Sequence, residues 1–230
     1  MMHLNRYNDI KALKENPLFK DVSDEGLQEL FFHSKQKTWT KRICFLDRSE
    51  TVNNFYIITS GRLKVYFFNP KKDRKITLFI LTQHDVFDLY NVFDWCHHEV
   101  YYETLDDTEV FSIPITFLKQ WMQEHVAFYK NALEYSMIKM KGLEDYVTSS
   151  NLDSTSTRLA KLLVEHTNET THKLELINGL PHKELAQLIG TTRTVLNRHI
   201  QEFKEEGIIE ITNKNIKILN MNLLLDRIKK

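Results

Sequence analysis

The sequence predicts an α+β chain with three parts: an N-terminal antiparallel β-roll of the jelly-roll-like, double-stranded β-helix kind, a long helix, and a C-terminal winged helix-turn-helix. Three observations carry this. Short β-rich runs crowd the stretch from Lys37 to about Ile115. Phe117 to Val147 contains no proline and a single glycine, Gly142. The last fifty or so residues hold two amphipathic helical patterns around Gly190-Thr191-Thr192, followed by two short apolar runs. The predicted boundaries are a roll over 1–116, a long helix and hinge over 117–150, and the winged module over 151–230.

The lead-in over residues 8–33 reads as short helices. Asn16-Pro17 breaks the first pattern, and Ser23-Asp24-Glu25-Gly26 opens the next, which places Leu27, Leu30 and Phe31 on one face. The β-rich runs are Arg42 to Leu46, Asn54 to Thr59, Arg62 to Phe68, Lys75 to Leu81, Glu99 to Thr104 and Glu109 to Ile113. Ser60-Gly61 and Asn69-Pro70-Lys71-Lys72-Asp73 punctuate them as turns. Six or more short strands at this spacing suit a barrel or roll.

In the long helix, Val126, Leu133, Met137, Met140, Leu143 and Val147 are spaced mostly by three and four. An apolar stripe of that length needs a partner surface, and heptad-like spacing favours a second copy of the same helix over the chain's own roll. Thr148-Ser149-Ser150-Asn151 is expected to end or interrupt the helix. Ser154 to Thr157 is available to cap the next one, Arg158 to Thr167, and Lys173 to Ile177 is a short strand candidate.

The module at the end is the most informative. Leu185, Leu188 and Ile189 give a first helix its buried face, and Gly190 supplies the turn. Thr192 caps a second helix with Leu196, Ile200 and Phe203 inward and Val195 and His199 at the boundary. Its other face is polar: Arg193, Thr194, Asn197, Arg198 and Gln201, with Lys204 below. Guanidinium forks suit guanine O6 and N7 or phosphates, and amides suit adenine, so this face fits a major groove. The hydroxyls of Thr191 and Thr192 near the helix N-terminus suit phosphate. Glu206-Gly207 ends the helix, and Ile208 to Ile211 and Asn215 to Leu219 form the wing. A solvated helical hairpin is the plain alternative, but the whole constellation points to double-stranded DNA.

Composition limits the other classes. The chain has 230 residues, of which 42% are hydrophobic, enough for a sizeable core. Its 31 Lys plus Arg balance 31 Asp plus Glu, so any attraction to nucleic acid must be local, and no pull toward a membrane surface is expected. Two cysteines, Cys44 and Cys96, are too few for a disulfide scaffold. No signal-like or membrane-spanning apolar run occurs, and a cytoplasmic location is expected. No nucleophile–base set, phosphate-cradling glycine loop or metal-spaced His/Glu motif is present, so no enzymatic activity is expected.

On these residues the chain resembles the Crp/Fnr regulators of bacteria over nearly its whole length. NPLFKDVSDEGLQEL is similar to the family's N-terminal helices, FYIITSGRLKVYFF to its β-roll, and Lys183 to Leu219 to its winged helix-turn-helix. The resemblance implies a homodimer joined through the long helix and a palindromic DNA operator read by Arg193 and Arg198. It also implies RNA polymerase as a partner if the protein activates, and control through the roll by a small-molecule effector whose identity stays open.

Departures from the family bear on that effector. Members that bind cyclic AMP carry a Gly-Glu pair and an Arg-Ser pair at the phosphate; here these positions are Asp88-Leu89 and Glu99-Val100. Two carboxylates would repel the cyclic phosphate, so cyclic-nucleotide binding in the usual mode is disfavoured. Leu143 and Glu144 stand where cyclic-AMP binders usually offer hydroxyls to the base. Oxygen-sensing members use cysteines near the N-terminus, and none precedes Cys44. A haem or metal could draw on Cys96, His97 and His98, with His84 nearby. Adjacent ligands point to different sides, so an exposed loop is expected and no cofactor. Neither thiol has a neighbouring cation that clearly activates it as a switch. The recognition helix has Thr194 where the family usually has Glu after its first arginine, which alters the preferred half-site. Two rival readings remain: a regulator that needs no effector and is controlled by abundance or a protein partner, and a small-molecule-binding roll whose C-terminal part only assembles it.

Overall fold

The computed structural model describes residues 10–11, 13–45, 52–87, 89–93, 100–168, 170–171, 173–212 and 215–229. The chain divides into two compact units, one of residues 1–67 and 79–142, the other of residues 68–78 and 143–230.

The first unit begins with α1 (Asp24–Phe32), capped by Ser23, whose hydroxyl accepts from the Gly26 N–H. Leu27, Leu30 and Phe31 are buried, as the sequence pattern requires. The strands follow as β1 (Lys35–Trp39), β2 (Cys44–Phe45), β3 (Asn54–Ser60), β4 (Leu63–Asn69), β5 (Arg74–Leu81), β6 (Val86–Phe87), β7 (Tyr101–Thr104) and β8 (Thr108–Pro114), with a short α2 (Leu89–Val92) after β6. They form two four-stranded sheets, ordered β1-β8-β3-β6 and β2-β7-β4-β5, which is the expected antiparallel roll. Of the expected run Arg42 to Leu46, only Cys44–Phe45 pairs, and Leu46 lies outside the described residues, as does Glu99 of the run that becomes β7. β1, β6 and α2 were not anticipated; β1 is polar at four of its five positions and β6 is two residues long.

Strand alternation explains the core. In β3, Tyr56 and Ile58 point between the sheets, where they join Trp39, Leu63, Val65, Leu81, Phe87, Tyr102 and Val110. Phe55 and Ile57 point to the other face and meet Leu27, Leu30, Leu118, Trp121 and Phe128 from the helices. Both faces are buried, so FYII reads as an unbroken apolar run. Gly61 is required at the β3–β4 turn: its φ is +85°, and a Cβ there would lie 2.5 Å from the Asp107 carbonyl oxygen.

After β8 the chain forms α3 (Ile115–Glu124) and α4 (Ala127–Leu152), not one continuous helix from Phe117 to Val147. The break falls at His125, where φ is −113° and ψ is 66°. Its ring packs on Trp121 with centroids 4.4 Å apart and lies so close over Gly26 that a Cβ there would be 2.6 Å from it. The bend turns Phe128 into the core against Trp121. Val126 therefore sits between the two helices and is not part of the long one. At the other end α4 runs through Thr148–Asn151 to Leu152 instead of stopping there. Ser150 Oγ and Asn151 Nδ2 bond back to the Val147 carbonyl at 3.0 and 2.7 Å, so these polar residues satisfy themselves within the helix.

The second unit contains α5 (Thr155–Glu165), α6 (His182–Leu188), α7 (Arg193–Glu205), β9 (Ile209–Thr212), β10 (Asn215–Ile218) and α8 (Met221–Lys229). Ser154 caps α5 by accepting from Thr157 N–H at 3.1 Å. The expected strand from Lys173 to Ile177 is reduced to two isolated bridges, Thr167 with Leu174 and Lys173 with Lys217. Burial of Leu174 and Ile177 holds this segment where a longer ladder was expected. α8 was not anticipated. It buries Leu224, stacks the Arg227 guanidinium over Phe203 at 5.6 Å, and pairs Arg227 with Glu206.

Candidate nucleic-acid interface

The turn between α6 and α7 is built from local rules. Leu185, Ala186 and Ile189 are buried, and the helix closes when Thr191 N–H donates to Ala186 O at 2.8 Å and Gly190 N–H to Gln187 O at 3.4 Å. This closure needs a left-handed residue at Gly190, whose φ is +65°. A Cβ on Gly190 would also come within 3.2 Å of the Tyr146 hydroxyl. Arg74 Nη2 donates to the Gly190 carbonyl at 2.9 Å, fixing the turn from its other side.

Thr192 then starts α7, its hydroxyl accepting from Val195 N–H at 3.3 Å. Leu196, Ile200 and Phe203 are buried, which commits the helix's rotation. Thr192, Arg193, Thr194, Asn197, Arg198 and Gln201 are all exposed in consequence, and Thr191 is half-buried in the turn. The helix ends as it was prepared, with Ile208 N–H donating to Phe203 O at 2.9 Å and Gly207 at φ +69°.

The exposed face differs in how free its groups are. Arg193 makes no hydrogen bond or ion pair among the described residues. Arg198 is 65% exposed and only loosely paired, 3.7 Å from Glu202. Glu202 is held more firmly by His199 at 2.7 Å, a contact that depresses its carboxyl pKa. Gln201 donates to Glu205 at 2.8 Å. Asn197 Oδ1 lies 2.7 Å from His182 Nδ1, and His182 was not singled out from sequence: fifteen residues separate the pair, too far for any local pattern to reveal. The wing pairs Ile209 with Ile218 and Ile211 with Ile216, while its tip, Asn213 and Lys214, lies outside the described residues.

The residues expected to form a pairing stripe differ in exposure. Leu133, Met137, Met140 and Val147 are exposed on α4, between 48% and 60%, whereas Leu143 is half-buried. Tyr129, Ile138 and Leu152 of the same helix are also exposed. The buried residues of α4, namely Phe128, Asn131, Ala132 and Tyr135, all fall in its first nine positions. Tyr135 donates to Val86 O at 3.3 Å, and its burial raises the phenol pKa far above the usual value.

Between the sheets, Trp39, Tyr56, Phe87 and Tyr102 pack in sequence at centroid distances of 5.0 to 5.1 Å, Tyr56 and Phe87 stacked and the outer rings tilted against them. Leu89 and Val100 are half-buried; Asp88 and Glu99 lie outside the described residues, as do Cys96, His97 and His98. Among the described residues no three His, Cys, Asp or Glu side chains gather as a metal site would require, and no helix is long and apolar enough to cross a membrane.

Residues 157–227 match the Crp-like helix-turn-helix domain, and residues 39–125 match the cyclic nucleotide-binding domain. The chain belongs to the Crp/Fnr family of transcription regulators. It is 24% identical to the "Probable transcriptional regulator flp" of Lacticaseibacillus casei, over 89% of this chain and 92% of that one. It is 22% identical to the "CRP-like cAMP-activated global transcriptional regulator" of Mycobacterium tuberculosis, over 77% and 81% respectively. A CooA mutant from Carboxydothermus hydrogenoformans has the same fold, with a TM-score of 0.71 at 23% identity over 86% of this chain and 89% of that one. Crp/Fnr regulators bind DNA and typically act as dimers, and α6, α7 and the wing all lie within the residues of this Crp/Fnr chain that match the helix-turn-helix domain.

Proposed function

We propose that this Crp/Fnr protein is a homodimer that binds a palindromic operator in double-stranded DNA, with α7 of each copy in successive major grooves about one helical turn apart. The observation that carries this reading is the pair of exposed, weakly engaged guanidinium groups, Arg193 and Arg198, on a helix whose opposite face is buried. Thr191 and Thr192 suit phosphate, and Thr194, Asn197 and Gln201 suit base edges. The second copy covers the stripe of α4 from Leu133 through Met137 and Met140 to Val147, because the single chain leaves this apolar stripe exposed to water. RNA polymerase is a partner if the protein activates.

Binding of a labelled operator by the Arg198→Ala protein tests the reading. A loss of about 1–3 kcal/mol is expected for a bidentate guanine contact. An unchanged affinity would remove Arg198 from the interface, and a shallower salt dependence with intact specificity would make it a phosphate anchor.

A second point concerns control. The close packing of Trp39, Tyr56, Phe87 and Tyr102 supports a roll interior filled by its own side chains, and by the family resemblance Asp88 and Glu99 fall at the sequence positions where cyclic-AMP binders place the groups that hold the phosphate. The effector is therefore a different ligand, or the protein works without one. A thermal-shift series with cyclic AMP, cyclic GMP, haem and divalent metals separates these: a rise with either cyclic nucleotide would contradict the reading, and a flat series supports an effector-independent regulator.

A further inference from the structure

We infer that Lys71 and Lys72, at the tip of the β4–β5 hairpin, bind the DNA phosphate backbone beside the half-site that α7 reads. The inference rests on α7 being the DNA-reading helix. The chain as a whole is electrically balanced, so attraction to a polyanion must come from cations gathered in one place. The hairpin gathers them: Lys71, Lys72, Arg74 and Lys75 follow one another, with Asp73 as the single anion among them. Residues 68–78 also belong to the compact unit that contains α6, α7 and the wing.

The four cations are placed differently. Arg74 is committed to the α6–α7 turn, its Nη2 donating to the Gly190 carbonyl at 2.9 Å. Lys75 is half-buried, with its amine 5.9 Å from the centre of the Phe68 ring. Lys71 and Lys72 are exposed. Their backbone N–H groups donate to Asn69 Oδ1 at 3.0 and 3.2 Å, which holds the tip, while their amines make no hydrogen bond or ion pair among the described residues. Gly190 directly precedes Thr191 and Thr192, whose hydroxyls suit phosphate at the N-terminal end of α7. Arg74 therefore moors the hairpin beside the end of α7 that approaches the backbone, and the ammonium groups of Lys71 and Lys72 lie just beyond that anchor along the chain. A lysine ammonium is a compact point charge on a flexible stem, so it meets a phosphate without a fixed geometry and reads no base. The ligand class is a phosphodiester, and each such contact releases counterions from the duplex.

The test uses the full chain and an operator obtained from random-site selection. Binding is measured over a series of salt concentrations for the wild type, for Lys71→Gln/Lys72→Gln, and for Lys11→Gln/Lys35→Gln, which removes the same charge from exposed positions of the other unit. Loss of the hairpin lysines is expected to weaken binding and to make the slope of log K against log salt shallower, by about 0.9 for each lysine–phosphate contact and so by up to about 3.6 in a homodimer. The order of affinities for operators with single base changes stays that of the wild type, since phosphate contacts carry no sequence information. The Lys11 and Lys35 pair changes the slope by much less. A slope equal to that of the wild type, a change matched by the Lys11 and Lys35 pair, or a reordered base preference overturns the inference while leaving recognition by α7 intact. So does unchanged DNA binding with a loss of transcription activation, which would put a protein against the tip. Failure of every operator to bind specifically would instead overturn the DNA-reading role of α7, and the inference with it.

Discussion

The hydroxyl of Thr192 accepts a hydrogen bond from the Val195 N–H at 3.3 Å, so α7 begins at Arg193. That single bond sets where the helix starts, and the burial of Leu196, Ile200 and Phe203 sets how it is rotated. Replacing Thr192 with Ala is expected to lower stability by about 1 kcal/mol, while Thr192→Ser retains most of it. Thermal denaturation of the two variants checks this; equal melting temperatures would show that the cap does not define the helix start.

Tyr135 ties the first part of α4 to the roll through its bond to Val86 O, at 3.3 Å. Tyr135→Phe keeps the ring and deletes the donor, leaving a buried carbonyl short of a partner. A cost of about 1–2 kcal/mol is expected in urea unfolding, with an unchanged dependence on denaturant.

Leu133 and Met140 are both exposed on α4, and beyond Tyr135 the helix has no further buried residue. Charged residues at Leu133 and Met140 should therefore leave the single chain folded and break its pairing. Sedimentation of the Leu133→Asp/Met140→Asp protein is expected to give the mass of one chain, with circular dichroism close to that of wild type. A mass still corresponding to two chains would place the interface elsewhere.

The joint between α4 and α5 carries an acid-sensitive contact. Lys161 Nζ donates to Asp153 Oδ2 at 2.6 Å, and this bond, with help from Ser149, depresses the Asp153 pKa. A carboxylate whose folded pKa lies below its unfolded one adds stability that is fully present above the unfolded value and is lost as pH falls through the folded value. Wild type should therefore melt higher than Asp153→Asn at neutral pH, by a margin kept small by solvent screening, and the margin should shrink as pH falls below the ordinary carboxylate value. A margin that widens in acid would have the wrong sign.

How legible the chain was from sequence depended on whether the deciding contacts were local. The α6–α7 turn was readable because Gly190, Thr192 and the spacing of Leu196, Ile200 and Phe203 act within a few residues of one another. The roll was readable from its turns and its β-rich runs, though not β1, whose polar positions conceal its pairing with β8. The bend at His125 was hidden because the ring there packs over Gly26, about a hundred residues earlier in the chain. The extension of α4 through Ser150 and Asn151 was hidden differently: residues that usually stop helices here bond to their own helix. α8 is hard to read for another reason: Met221, Leu223, Leu224, Leu225 and Ile228 are apolar, yet Leu224 alone is buried. The His182–Asn197 contact is the same kind of case within the site, a pairing made by the turn and not by either helix pattern.

The most direct test is selection of bound sites from random double-stranded DNA by the purified full-length chain. Enrichment of two inverted half-sites whose centres lie about one helical turn apart, lost when Arg193 and Arg198 are both replaced by Ala, is the expected result. No enriched sequence, or enrichment that survives the double replacement, would contradict recognition by the exposed face of α7.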